Sequence, residues 1–512
     1  MPPPKRHRFT LFSLVPQNKR AEEVVADPLN QQFTSTLDDG TVVLDIGFHV
    51  RSKSCNTLAT LGRGDTDIFM SGSSISKIQC SFEIDTDTNV IMFYDRSHSQ
   101  TTQVFGDNAM PFEYGRVRKV VVLEGFNTLI GMGGVARNLV IFELKWYLNS
   151  AGTIKTVQDW QNASLSCVEN PRLARTIDES DTILPSRRET RPHTSTQGQL
   201  KMRYAILKRI GSGSFGTVHR VVDVDSGSYM AVKILNQPVD GSEQELKNWR
   251  ESVNYSLKRE VEAISKINHP HIIDYIASQG WGEPKVEIFM GLKEGSLESL
   301  CLSGTTFNAE TLFSHMLQAL DHLAFRKIIH RDVKPENILY VTRPDGHQFQ
   351  LGDFGVCNST VSAKTRIGTP IYMAPEVASG GQQTPKADVW SLFVTMVWTL
   401  DCQGFREKSE NFVSSADIYS MVTSVAATDE KLSGIRKMAV CEPENRASAA
   451  EMLIEYFLGD GLSTSVNTAP RLGELDLSRD DNKKEERRGL SNSPKPPDKY
   501  RVRKTAKPPA RR

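Results

Sequence analysis

The sequence predicts a multidomain chain in which an all-β sandwich is followed by a two-lobed α+β body, with a disordered linker between them and a basic C-terminal tail. Three observations carry this reading. The 512 residues exceed the roughly 250–300 at which one hydrophobic core stops growing. Between about residues 41 and 147, short Val-, Ile-, Phe- and Thr-rich segments (TVVLDIGFHV, CSFEID, NVIMFYD, KVVVLEG, NLVIFEL) are separated by Gly, Asp, Asn and Ser, the pattern of an all-β domain. From Tyr204 onward strand-like runs (YAILKRI, TVHRVVDV, SYMAVKIL) give way to helical periodicity, which implies a small β-rich lobe ahead of a larger helical one.

In chain order, residues 1–36 open on a proline-rich basic stretch, MPPPKRHR, and are expected to be poorly ordered. The apolar stretch that follows, Phe9 to Val15, is broken by Thr10 and Ser13 and makes a poor signal peptide. Residues 37–148 are assigned to the sandwich. Residues 149–200, rich in Ser, Thr, Arg, Asp and Pro, read as a linker. Residues 201–458 form the two-lobed body, and 459–512 a disordered tail. The longest apolar run, Val389 to Leu400, is too short for the roughly 20 residues that span a bilayer and reads as a buried helix.

The 62 basic and 61 acidic side chains give a net charge of +1, which excludes a polycation. That balance conceals the tail, where residues 483–512 hold twelve Lys or Arg against three Asp or Glu. No nucleic-acid-binding motif accompanies it, so neither nucleic acid nor membrane is expected as a partner. The seven cysteines (55, 80, 167, 301, 357, 402, 441) contain no CxxC pair, which argues against a disulfide framework or a zinc site. A reducing compartment, cytoplasmic or nuclear, fits best.

The chemistry is concentrated after Tyr204. Gly211, Gly213 and Gly216 in GSGSFGTV lie between two strand-like runs; glycines let backbone amides approach phosphate oxygens. A plain hairpin turn is an equal reading of that motif alone. Lys233 in AVKIL is a cation placed to reach phosphates, and Glu260 in the helical stretch SLKREVEAISKI could pair with it. The deciding text is IHRDVKPENIL (329–339) followed by LGDFG (351–355). Asp332 would accept the proton of an attacking hydroxyl, and Lys334 would neutralise charge on the migrating phosphoryl group. Asn337 and Asp353 offer hard oxygen ligands for Mg²⁺.

Residues 204–458 thereby resemble a eukaryotic protein kinase domain. KPEN after HRD, and GTPIYMAPE at 368–376, resemble the serine/threonine class. The resemblance implies ATP and Mg²⁺, with a nucleotide cradle of Gly211, Ser212, Gly213, Ser214, Phe215, Gly216, Val218, Ala231 and Lys233. It places Met290 at the gatekeeper position, Phe289 being the alternative, and Leu292 in the hinge Gly291 to Lys293. It pairs Glu376 with Arg446 and has Asp388 anchor the catalytic loop. Because Arg331 precedes Asp332, a phosphate on the activation segment is expected, at Thr365 first, with Thr360 and Ser362 as alternatives. Glu336 hints at a basic residue upstream of the phosphoacceptor. The competing reading, a catalytically silent kinase-like scaffold, is opposed by the intact Lys233, Glu260, Asp332, Asn337 and Asp353.

The sandwich sequence resembles a forkhead-associated (FHA) domain, a family that binds phosphothreonine peptides. Arg63 in LGRGD and Ser76 in SSISK match the residues that grip phosphate, and Lys77 could add charge. Two departures stand out: Gln79 where the family has His, and Ser99 and Gln100 where it has an Asn-Gly pair. The implied partners are protein substrates and a phosphothreonine protein, or the chain's own linker at Thr176, Thr182, Thr190 or Thr194, which would give a phosphorylation-dependent dimer. This architecture resembles the checkpoint kinases that respond to DNA damage.

Overall fold

The computed structural model describes residues 5–166, 201–213, 216–238, 242–354, 358–359, 370–412 and 414–464. Its first body is a β-sandwich. One sheet contains β1 (Thr10–Pro16), β2 (Thr34–Thr36), β3 (Val42–Gly47), β8 (Thr102–Phe105), β10 (Leu129–Met132) and β11 (Val140–Trp146), in the order β2-β3-β1-β11-β10-β8. The other contains β4 (Thr57–Gly62), β5 (Ile68–Phe69), β6 (Cys80–Ile84), β7 (Ile91–Asp95) and β9 (Lys119–Val122), in the order β5-β4-β6-β7-β9. Alternate residues of the two sheets face each other and pack Phe12, Phe82, Phe93 and Phe142 into a core.

The N-terminal expectation is overturned. β1 is a central strand, paired with both β3 and β11, so the sandwich begins near residue 10 and not at 37. The polar interruption that disguised it is satisfied internally: Ser13 Oγ donates to Asp45 Oδ1 at 2.6 Å, and Ser35 Oγ donates to the same oxygen at 2.9 Å. A buried hydroxyl with a carboxylate partner is compatible with a core strand. Helix α1 (Lys19–Val25) follows, capped by Asn18 and burying Ala21, Val24 and Val25.

The linker expectation is also revised at its start. Helix α2 (Ser150–Ser166) occupies the first third of residues 149–200; Val157 enters the sandwich core, and Trp160 stacks on Phe48 with ring centroids 4.5 Å apart. Two large apolar contacts hold a helix whose mean polarity suggested loop. The remaining linker lies outside the described residues, as does the tail from 465.

The second body has two lobes. The small one is an antiparallel sheet of β12 (Tyr204–Gly213), β13 (Gly216–Asp223), β14 (Tyr229–Asn236), β15 (Tyr275–Gln279) and β16 (Lys285–Gly291), ordered β12-β13-β14-β16-β15. Against it lies a helical stretch in three pieces: α3 (Glu243–Glu251), one wider π-type segment (Ser252–Leu257) and α4 (Lys258–Ile264). The large lobe includes α5 (Leu297–Leu302), α6 (Ala309–Phe325), α7 (Pro375–Ala378) and α8 (Lys386–Thr399). Helix α8, the apolar run noted above, is buried on nearly all sides, as a helix hydrophobic all round must be. Among the described residues no helix is long and apolar enough to cross a membrane.

The two bodies share an interface. In β7 and β9, Ile91, Phe93, Val120 and Val122 face the sandwich core, so their neighbours Met92 and Val121, opposite each other in register, face outward. These outward residues, with Val90 and Leu123, are nonetheless buried against Ala205 of β12 and Val222 of β13. The backbone joins too: Val121 N donates to Val224 O at 2.9 Å, and Tyr229 Oη donates to Thr88 O at 2.8 Å.

Candidate active site

The site lies where the small-lobe sheet meets the large lobe, and each functional side chain is placed by a local device. The hairpin of β12 and β13 closes at Gly213 and Gly216, which pair across it. Gly216 has φ +137°, and a Cβ there would sit 2.2 Å from Ile234 O; no other residue fits. Ser214 and Phe215 lie outside the described residues. Val218 pairs with Lys233, and Ala231 with Met290. That register puts Met290 on the cleft side with Lys233, while Phe289 points into the opposite apolar cluster with Val221 and Val232.

Lys233 Nζ meets Asp353 Oδ1 at 2.5 Å. This differs from the expected Lys233–Glu260 pair. Glu260, in the first turn of α4, is half-buried; burial pushes its carboxyl up to about 7, with the Arg331 guanidinium pulling the other way. The π-type segment immediately before α4 sets the rotation of that helix, which spacing in the sequence does not encode. An open apolar cleft lies beside the pair, with Lys233, Leu257, Val261, Ile264, Met290 and Asp353 among its walls.

The catalytic-loop residues converge on one carboxylate. Asp332 Oδ2 receives Lys334 Nζ at 2.9 Å and Asn337 Nδ2 at 2.9 Å, and Asn337 Nδ2 also donates to Asp332 O at 2.8 Å. With its Nδ2 committed there, Asn337 keeps its amide oxygen as an acceptor. Arg331 and Asp353 both have positive φ, 72° and 51°, strained conformations that persist where the surroundings over-determine them. For Arg331 the surroundings are visible. Asp388, buried at the start of α8, accepts the backbone N–H groups of His330 and Arg331 at 2.7 and 2.8 Å. Burial pushes its carboxyl up to about 7 against the pull of those two donors. His330 Nε2 in turn lies 2.9 Å from Gly352 O, tying this loop to the segment that carries Asp353.

Below the site, Arg446 makes a bidentate pair with Glu376 at 2.7 and 2.8 Å, as the resemblance implied. Glu336, in the short turn Pro335–Asn337, is exposed. Thr360, Ser362 and Thr365 lie outside the described residues. An ammonium, a carboxylate with an adjacent lysine, an amide and a second carboxylate, gathered beside a glycine hairpin, are a set suited to moving a phosphoryl group between a bound nucleotide and a hydroxyl. The protein kinase domain family matches residues 204–458.

Residues 204–458 are a protein kinase domain. It is of the serine/threonine type. The chain is 29% identical over 274 residues to mouse serine/threonine-protein kinase PAK 1, covering 51% of this chain and 47% of that protein. It is 28% identical over 291 residues to a calcium/calmodulin-dependent protein kinase of Metarhizium anisopliae, covering 53% and 72%. To human serine/threonine-protein kinase DCLK2 it is 27% identical over 291 residues, covering 53% and 36%. The chain thus spans about half or less of the mouse and human relatives, and these matches cover only about half of it.

The β-sandwich ahead of the kinase domain carries its own cluster of polar residues. Arg63, exposed just after β4, donates its backbone N–H to Ser76 O at 3.0 Å and its Nε to Ile75 O at 2.6 Å. Ser76 N donates to Gln79 Oε1 at 2.9 Å, while the buried Gln79 Nε2 donates to Thr101 and Thr102 hydroxyls at 3.0 and 2.8 Å. Gln79 therefore joins the Ser76 loop to the Thr101 loop. Gln100, at φ 52°, offers its carbonyl to Arg118 and Arg137, two arginines the sequence reading did not single out. Their signal was faint, since an arginine among many in loop text carries no spacing cue.

Proposed function

We propose that this protein transfers the γ-phosphate of ATP to serine or threonine hydroxyls of protein substrates. The observation that carries the reading is the convergence of Lys334 and Asn337 on Asp332, in a loop held from below by Asp388. Asp332 is then the group that orients the substrate hydroxyl and takes its proton, with Lys334 beside it to balance charge at the migrating phosphoryl. Gly211 to Gly216 cover the nucleotide phosphates; Val218, Ala231, Met290 and Leu292 surround the base, and Lys233 reaches the phosphates. Asn337 and Asp353 supply an amide and a carboxylate oxygen, hard donors that suit Mg²⁺. Held by these two residues, Mg²⁺ would supply positive charge to offset that of the nucleotide phosphates. For Lys233 to serve the nucleotide, it must exchange Asp353 for phosphate and Glu260, and an α4 rotation that brings Glu260 in from Arg331 would complete the exchange. A phosphate at Thr365, paired with Arg331, is the expected trigger.

The test compares wild-type protein with Asp332→Asn, each given Mg·ATP and a generic basic peptide. Wild type should incorporate phosphate at least about a hundredfold faster, the usual scale of a general-base contribution. Equal background rates would instead support the silent scaffold.

A second reading, supported by the Arg63 and Gln79 geometry, concerns the sandwich. It is an FHA-like phosphothreonine reader in which Arg63, Ser76 and Lys77 hold the phosphate. Arg63's Nε is fixed on Ile75 O, so its fork is pre-set, and Gln79 provides the loop-to-loop hydrogen bonding assigned to the family's His. Recruitment by a phosphorylated partner, or by a phosphorylated linker of a second copy, would then raise local kinase concentration, as in checkpoint-type signalling. A phosphothreonine-peptide library should bind the full chain and lose affinity at least about tenfold with Arg63→Ala. Identical binding by both proteins would remove this role.

A further inference from the structure

The hairpin of β12 and β13 has two ends. One carries Gly211 to Gly216; the other, where Tyr204 pairs with Asp223, is fastened to the sandwich. The fastening centres on Asp225, in the turn between β13 and β14. Its carboxylate receives Arg116 Nη1 from the sandwich at 2.7 Å, and also Arg203, which precedes β12, through Nε at 3.3 Å and through Nη2. Arg203 Nη1 donates back to the sandwich at Pro111 O, 2.5 Å away. Arg116 also holds Lys201 O at 2.6 Å and Glu113 at 2.6 Å. Two arginines and two carboxylates, one of each from either body, thus form a charge-balanced knot, and the side chains of Arg116, Arg203 and Asp225 are each less than 15% exposed.

Sequence economy points the same way. A β-sheet with one face in water alternates polar and apolar residues, whereas VIM (90–92) and VVVL (120–123) do not; continuous apolar runs belong to strands covered on both faces. The cover is the kinase small lobe. Gly227, at φ +82°, lets the turn approach closely, since a Cβ there would lie 3.0 Å from Met92 Sδ. A strand rises about 3.3 Å per residue, so the eight residues of β13 make a lever of about 26 Å between knot and glycine turn.

We propose that Asp225, with Arg116 and Arg203, is a positioning device for the nucleotide: it fixes the hairpin's far end and so sets the height of the glycine turn over the ATP phosphates. This rests on the kinase reading above. Arg116 is the sharper test position, because it lies outside residues 204–458 and far from the cleft in sequence. ATP must bind before any step that Asp332 performs, so freeing the hairpin raises the KM for ATP and leaves kcat largely unchanged.

The experiment uses the full chain as wild type, Arg116→Ala, Asp225→Ala and Asp225→Glu, with ATP KM, kcat and unfolding temperature measured for each. The two alanine variants should raise KM for ATP by about tenfold with kcat within about twofold, and Asp225→Glu should recover part of the loss. An unchanged KM in both alanine variants overturns the proposal, and so does a fall in kcat at constant KM, the signature of lost folded protein. If wild type transfers no more phosphate than Asp332→Asn, the kinase reading fails instead. The device is then read from the ATP-induced rise in unfolding temperature, which should shrink in Arg116→Ala; equal rises in wild type and Arg116→Ala overturn it.

Discussion

Arg446 shows how much a single side chain can hold. Its side chain is fully buried, and its guanidinium uses both arms on Glu376 while also donating to Val440 O, Cys441 O and Lys386 O at 2.8–2.9 Å. Removing it leaves the Glu376 carboxylate without its partner in a site that water barely reaches. Arg446→Ala should therefore destabilise the large lobe by about 3–5 kcal/mol, read as a lowered urea midpoint. Lys437 and Glu455, an exposed pair at 3.0 Å, give the contrast: Lys437→Ala should cost less than about 1 kcal/mol. If both substitutions shift the midpoint equally, burial does not distinguish them. At this scale the sequence was informative where chemistry is short-range. Asp332, Lys334 and Asn337 lie within six positions, and their side chains meet. Arg446 and Glu376 lie seventy residues apart, and only the family resemblance joined them. Ser13 misled, because the carboxylate that satisfies it comes from β3.

At the scale of elements, α6 and the loop before β15 bring histidines together in a way no single element reveals. His315 and His322, seven residues and about two turns apart on α6, meet His271 and His269 respectively, with ring centroids 3.8 and 4.8 Å apart. His269 accepts the backbone N–H of His271 at its Nδ1, and His315 accepts that of Phe349, so both rings are held neutral. Burial first, then neighbouring imidazoles, lowers both to about 4; Asp345 opposes this at His315. His271 and His322 are lowered as well by burial, with Arg326 adding to the effect and Asp321 opposing it at His322. The sign follows directly. The unfolded chain titrates these groups near 6.5, so between about 6.5 and 4 it binds more protons than the folded one. Stability is full above 6.5 and is lost as pH falls through that window. This contribution is lost from pH 6.5 to 4.5 while the raised carboxyls of Glu260 and Asp388 act with the opposite sign, so His315→Gln, which keeps a neutral acceptor, should raise the unfolding temperature at pH 4.5 relative to that at pH 7 when compared with wild type. The same difference between the two pH values in variant and wild type would exclude this cluster as a source. This grouping is not legible in the sequence, since the helical period of α6 reveals which residues share a face but not which loop lies against it. The same limit hid the partner of Lys233, which depends on how far α4 is turned.

At the scale of the molecule, the division into sandwich and two-lobed body was legible from alternating and helical periods, but their union was not. VVVL reads equally as a strand buried in its own sandwich and as one covered by a neighbour, and only the placement of Ala205 and Val222 decides. The consequence is that neither body is complete alone. Freed from the sandwich, β12 and β13 would expose Ala205 and Val222 and leave Arg203 and Asp225 without Arg116 and Pro111 O. The sandwich alone would expose Val90, Met92, Val121 and Leu123, of which each larger side chain contributes about 1.5–3 kcal/mol when buried. A chain limited to residues 201–464 should therefore unfold at a lower temperature than the full chain, and the sandwich alone should associate in a concentration-dependent way, because its uncovered strands offer a continuous apolar face. Within the full chain, Val121→Asp places a charge in that face without touching either core. It should lower the unfolding temperature of the kinase domain along with that of the sandwich, because each body loses the apolar cover that the other provides. Two transitions by calorimetry, of which only the sandwich's moves with Val121→Asp, would mean that the two bodies are neighbours without being coupled.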